Sequence, residues 1–173
     1  MTSDPAALLR EKQAPLKQQY RDDPRSAVVT LVADGELDGS GVACRVRTAS
    51  ALAEAGLHPA TGGTGMLACS GDMLLQALVA CAGVTLSAVA TALGITLRGG
   101  RLTAEGDLDF RGTLGVAKDV PVGFREIRLS IALDTDAGPD QRRKLLDLTE
   151  RYCVVYQTLL RGPRVIVAET AEV

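Results

Sequence analysis

Between Met73 and Leu97 the chain carries no charged side chain. A run of that length and apolarity has two homes, a bilayer or the middle of a protein core. Gln76 and the abundance of Ala, Gly, Ser and Thr point to a central core helix rather than a span, and no second run of this kind occurs. Ser70 is a suitable N-cap and Asp72 sits where the positive helix end favours an acid. Gly94 is the natural stop. The predicted helix, from about Ser70 to Leu93, would be about 35 Å long. Whatever else folds here must pack around it.

The flanks predict strands and shorter helices. Residues 5–20 read as a surface helix that Pro15 ends or kinks. Ala27–Ala33 is a β-branched run and hence a strand, Asp34–Gly39 a turn, and Gly41–Thr48 a second strand. Leu57–Met66 reads as a glycine-rich loop. Arg101–Phe110 and Phe124–Leu133 are strands, the second with Ile127, Leu129, Ile131 and Leu133 on one face. Asp140–Arg151 and Cys153–Leu160 are helices, and Arg164–Ala168 is a closing strand. Strands grouped on either side of a long helix predict an α+β fold. The chain divides into a helical N-terminal extension, 1–24, and a single domain, 25–173, with enough residues to bury a core.

Bulk properties exclude several functions. A net charge of −2 and the absence of Trp argue against nucleic-acid binding, which needs basic surface and stacking aromatics. Four cysteines in 173 residues are too sparse for a disulfide scaffold. The opening Met1-Thr2-Ser3-Asp4-Pro5 lacks the basic-then-apolar pattern of a secretory leader. A cytoplasmic protein is expected, where disulfides are transient and catalytic.

The thiols carry the chemistry. Cys81 lies mid-helix in Leu78-Val79-Ala80-Cys81-Ala82. Cys153 lies in Arg151-Tyr152-Cys153-Val154-Val155. Two distant thiols in helical contexts suit a redox pair, because a thiolate attacks an O–O bond and a second thiol captures the sulfenic acid. The same residues would equally serve as small buried hydrophobes. Cys44 alternates with Val42 and Val46 and reads as core, and Cys69 falls just before the helix. Cys44, His58, Cys69 and Cys81 include no closely spaced ligand pair of the kind a structural zinc site uses. His58 reads as a loop histidine bonded to backbone. The glycines after it do not follow the phosphate-cradling Gly-x-x-x-x-Gly-Lys pattern.

Two segments then resemble a known family. Asp72-Met73-Leu74-Leu75-Gln76-Ala77-Leu78-Val79-Ala80-Cys81 looks like the first-cysteine helix of the OsmC/Ohr proteins (osmotically induced and organic-hydroperoxide-resistance proteins). Tyr152-Cys153-Val154-Val155-Tyr156-Gln157-Thr158-Leu159 resembles their second-cysteine segment, usually Cys-Pro-Val-Ser-x-Thr-Leu. Asp109-Phe110-Arg111-Gly112-Thr113-Leu114-Gly115 is similar to an OsmC-like subgroup.

The resemblance implies an α+β fold in which two long central helices are wrapped by antiparallel sheets, in an intertwined homodimer with sites at the subunit interface. It implies a thiol-dependent reductase of organic hydroperoxides without metal or organic cofactor. Cys81 would attack the peroxide, Cys153 would resolve, and a dithiol would restore both. Asp72, nine residues before Cys81, stands where the subgroup places an acid that would orient an activating arginine. Arg45, Arg47, Arg111 and Arg125 are candidates for that arginine by residue type. The chain departs from the family at Gly71, where the characterised peroxidases have Glu, and at Val154, where proline is usual. It also lacks a match to the family's arginine loop. Those departures motivate the alternative of a non-catalytic redox-sensing or hydrophobic-ligand-binding protein.

Overall fold

The computed structural model describes residues 5–37, 44–46, 55–66 and 68–169. Its elements in order are α1 (Pro5–Asp22), β1 (Val28–Leu37), β2 (Cys44–Val46), β3 (Ala55–Gly56), β4 (Ala68–Cys69), α2 (Ser70–Leu93), β5 (Gly99–Asp109), α3 (Phe110–Thr113), β6 (Glu126–Asp134), α4 (Pro139–Tyr152) and α5 (Val154–Leu160). Four strands form an antiparallel sheet in the order β2-β1-β5-β6, and β3 and β4 form a two-stranded parallel pair. This is the expected mixture of helix and antiparallel sheet.

The charge-free run becomes α2. Gly94 ends it in the left-handed conformation, φ 65°, with its N–H donating to the Ala90 and Thr91 carbonyls, a backbone state that glycine adopts without steric cost. The helix is long and apolar enough to cross a membrane, yet one stripe of it lies on the sheet. Leu75, Leu78, Val79, Ala82, Leu86 and Ala90 are buried there at helical spacing. They meet Leu102, Ala104 and Leu108, the inward-facing residues of β5. Each fully buried leucine contributes about 1.5–3 kcal/mol of transfer free energy. Gly106 continues that β5 face. A Cβ there would lie 2.5 Å from the Phe124 ring and 3.3 Å from a Leu75 methyl, so its missing side chain makes room for both.

The opposite stripe of α2 is uncovered. Leu74 is 38% exposed and Val84 43% exposed, with Ala77 and Ala88 on the same side. The resemblance implied two long central helices. Among the described residues α2 is the one long helix at the centre, while α4, packed against it, has 14 residues.

Several local expectations are corrected. Pro15 does not end α1, which runs on to Asp22. The carbonyl left without its donor is that of Glu11, and both residues are exposed, so water can take the lost bond. The last turn of α1 joins the core, since Tyr20 is 2% exposed and its hydroxyl donates to the Ala60 carbonyl at 2.6 Å. Asp34-Gly35-Glu36 is strand rather than turn, because β5 supplies a partner at every position, such as Glu36 opposite Arg101. Of the expected strand 41–48, β2 covers Cys44–Val46; its other residues lie outside the described ones. Ser70 is not the N-cap of α2. Cys69 holds that position, with no side-chain bond. Residues 164–168 form no strand and are exposed, Val167 at 92%.

Candidate active site

Cys153 is placed by two helices at once. It ends α4, where its N–H donates to the Thr149 carbonyl at 2.9 Å, and it begins α5. Its Sγ accepts the Tyr156 N–H at 3.4 Å. At 1% exposure it is part of the core. α5 packs across α2, and this brings Cys153 to Cys81.

Cys81 lies on the uncovered stripe of α2, between Ala77 and Val84, and is half-buried. Its thiol and that of Cys153 are neighbours, close enough for each to bear on the other's ionisation. The Cys81 sulfur also faces the backbone N–H of Val155, the Thr85 hydroxyl one turn further along α2, and the Val154 N–H. None of these partners is a guanidinium.

The two thiols are driven in opposite directions. Burial opposes ionisation of Cys81, but the donors led by the Val155 N–H outweigh it and hold its pKa below the ordinary thiol value. Burial pushes Cys153 up to about 11, and the neighbouring Cys81 sulfur pushes the same way. When two coupled groups are separated like this, one proton is shared unequally. Cys81 is thus the more readily ionised of the two, and Cys153 the one that keeps its proton longer.

A cleft of about 590 Å³ opens beside this pair, between α2, α4, α5 and β6. Leu78 of α2, Leu146 of α4, Leu159 of α5 and Ile127, Leu129 and Ile131 of β6 make it apolar, and Arg125, Glu126 and Glu150 add charge to its wall. Cys153 is in the wall. Cys81 is not.

The other sequence-stated candidates lie apart. Nine residues along a helix are about 180° and about 14 Å, so Asp72 projects from the side of α2 opposite Cys81. Burial raises its pKa and the charge of His58 lowers it. His58 caps a short turn through Nδ1, which accepts the Ala60 N–H at 3.0 Å, and its ring stacks on Phe110 at 5.0 Å. It is the backbone-bonded loop histidine expected. Arg111 is held by Asp109, with Nε 3.0 and 3.1 Å from the two carboxylate oxygens. Arg125 lines the cleft. The side chains of Cys44, Arg45 and Arg47 fall outside the described ones. Cys69 is half-buried in β4 with a free thiol.

Sequence reasoning missed the donors around Cys81. Thr85 could have been found from its spacing of four residues, which puts it on the same face one turn away. Val154 carried a signal too, since a residue other than proline at that position retains its N–H.

The sequence model for OsmC-like protein matches residues 63–168, more than half of the chain and including both cysteines. The chain belongs to the OsmC-like protein family. No curated protein matches it. Among solved structures, this OsmC-like chain is similar to an OsmC-like hydroperoxide resistance protein from Jannaschia sp. CCS1. The TM-score is 0.59 at 15% identity, over 83% of this chain and 97% of that one. At that identity the likeness is one of fold.

Proposed function

We propose that this OsmC-like protein is a thiol-dependent reductase of organic hydroperoxides, acting in the cytoplasm against oxidative stress. The observation that carries the reading is the neighbouring Cys81–Cys153 pair, with Cys81 the more readily ionised thiol. The Cys81 thiolate attacks one peroxide oxygen and the O–O bond breaks. The alkoxide leaves, takes a proton and departs as alcohol, and Cys81 becomes a sulfenic acid. The Cys153 sulfur then attacks the Cys81 sulfur. The Cys153 proton and the sulfenic hydroxyl leave as water, and a disulfide remains. A dithiol reductant returns both thiols. The apolar cleft beside the pair suits organic rather than hydrogen peroxide.

A homodimer is part of this reading. The uncovered apolar stripe of α2 passes through Cys81 and continues onto Val154, 71% exposed. A second copy, bringing its own α2 alongside, would cover the stripe and close the site. Within one chain Asp72 points away from Cys81, on the other side of α2.

Turnover tests the reading. Cys81→Ser abolishes peroxide-dependent oxidation of a dithiol, and full turnover by that variant would sink it. The cleft also supports a second reading, a redox-sensing or apolar-ligand-binding protein without turnover. A wild-type protein that retains an apolar ligand while Cys81 resists cumene hydroperoxide favours that alternative.

A further inference from the structure

Cys81 and Thr85 stand four residues apart on α2, which places them one turn apart on the same face, and both are half-buried. The rest of that stripe is apolar, with Ala77, Val84 and Ala88 around them and no charged side chain anywhere in the run. Ser87 is turned into the core, and Thr91 lies about three turns from Cys81 along the helix. Thr85 therefore carries the one hydroxyl of α2 beside the sulfur.

That hydroxyl is also uncommitted. A threonine within a helix can return its hydroxyl to the carbonyl one turn back. Thr91 does so to Ser87 at 2.9 Å, and Thr149 to Leu145 at 2.8 Å. Among the described residues Thr85 makes no such bond, and none of their side-chain oxygens is both fully buried and without a partner. The Thr85 Oγ is thus open to a small molecule arriving at Cys81.

We propose that Thr85 is a catalytic residue, whose hydroxyl donates a hydrogen bond to the peroxide oxygen that leaves as Cys81 attacks. This rests on the peroxidase chemistry proposed above and adds the group that receives the departing charge. Attack takes the negative charge off sulfur and puts it on the outer oxygen, where a donor lowers the barrier most. The Val155 and Val154 N–H groups face the resting sulfur and, being backbone, stay aimed at it. A hydroxyl turns about its C–O bond, so the Thr85 donor can pass from sulfur to oxygen as the charge moves. None of the groups facing the sulfur is a cation that could take this part.

The step balances. The Cys81 thiolate forms a bond to the peroxide oxygen that carries hydrogen, and the O–O bond breaks. Its electron pair leaves on the other oxygen as alkoxide, and Cys81 keeps the hydroxyl as a sulfenic acid. Thr85 keeps its own proton, and water supplies the one that makes the alcohol.

Thr85→Val preserves size and branching and deletes the hydroxyl, whereas Thr85→Ser preserves the hydroxyl. Two reactions of Cys81 are followed across pH by peptide mass spectrometry, oxidation by cumene hydroperoxide and alkylation by iodoacetamide. Each is taken to the plateau at which the thiol is fully ionised. Iodide leaves with little need of a hydrogen bond, so the alkylation plateau reads the thiolate alone. Thr85→Val is expected to lower the oxidation plateau about tenfold or more and the alkylation plateau less than about twofold. Thr85→Ser is expected to restore most of the oxidation rate. Equal losses in both reactions, no loss in oxidation, or failure of serine to restore it overturns the proposal while leaving the peroxidase reading standing. A wild-type Cys81 that is alkylated but leaves the hydroperoxide intact overturns both.

Discussion

Val154→Pro isolates one donor to the Cys81 sulfur. Val154 is the first residue of α5 and its N–H faces Cys81. Proline is well tolerated at the first helical position, where the N–H has no partner within the helix. It also asks its predecessor to be extended, and Cys153 already is, at φ −71° and ψ 109°. The substitution therefore removes an N–H with little cost to the helix. A hydrogen bond to a charged acceptor is worth about 1.5–3 kcal/mol. Cys81 is half-exposed, so water replaces a good part of that, and Val154 ranks below Val155 among the donors. Allowing about 0.7 kcal/mol, the balance between thiolate and thiol at Cys81 moves about threefold toward the thiol, and its pKa rises. The assay is the pH dependence of iodoacetamide alkylation at Cys81, resolved by peptide mass spectrometry, with circular dichroism to verify the helices. A midpoint that stays put or falls, in a folded variant, refutes the assignment of backbone donors as the source of the thiolate.

Three further outcomes follow from the packing. Cys153 is neutral in the folded state up to about 11, but an unfolded cysteine ionises near ~8.5. The folded state then holds more protons, so stability is full below the unfolded pKa and falls as pH rises toward 11. Melting temperature should drop over that window, and Cys153→Ala should flatten the drop; an unchanged slope contradicts the burial argument. Gly106→Ala drives a methyl into the Phe124 ring and should cost about 1–3 kcal/mol in urea denaturation. Phe124→Leu should recover part of that loss, and failure to recover any would mean that the ring is not the obstacle. The uncovered stripe of α2 should make the chain a dimer by sedimentation velocity, and a monomer at micromolar concentration would contradict that part of the proposal.

The core of the fold was readable because its signals are local. A charge-free run ending at Gly94 identifies α2, and alternation through Ile127, Leu129 and Ile131 identifies β6. The misses share a physical cause, which is that a distant partner overrode a local preference. Asp34-Gly35-Glu36 has turn composition, yet β5 pairs with it along its length. The short β3 and β4 exist through each other, across a loop that sequence reads as irregular. Arg164–Ala168 has the composition of a strand but no neighbour within the described chain. At the site, Cys81 and Cys153 were legible as types and as motif members. Their contact was not, since it depends on how α5 crosses α2. The position of Asp72 relative to Cys81 follows from helix geometry. A spacing of nine residues on a helix turns a side chain to the far side, where Asp72 is under the influence of His58.

The most direct measurement of the central claim is peptide mapping after one equivalent of cumene hydroperoxide under non-reducing conditions. A single disulfide joining Cys81 to Cys153, formed with equimolar cumyl alcohol and absent in Cys81→Ser, is the expected result. Recovery of both thiols unmodified with the hydroperoxide intact would contradict the claim.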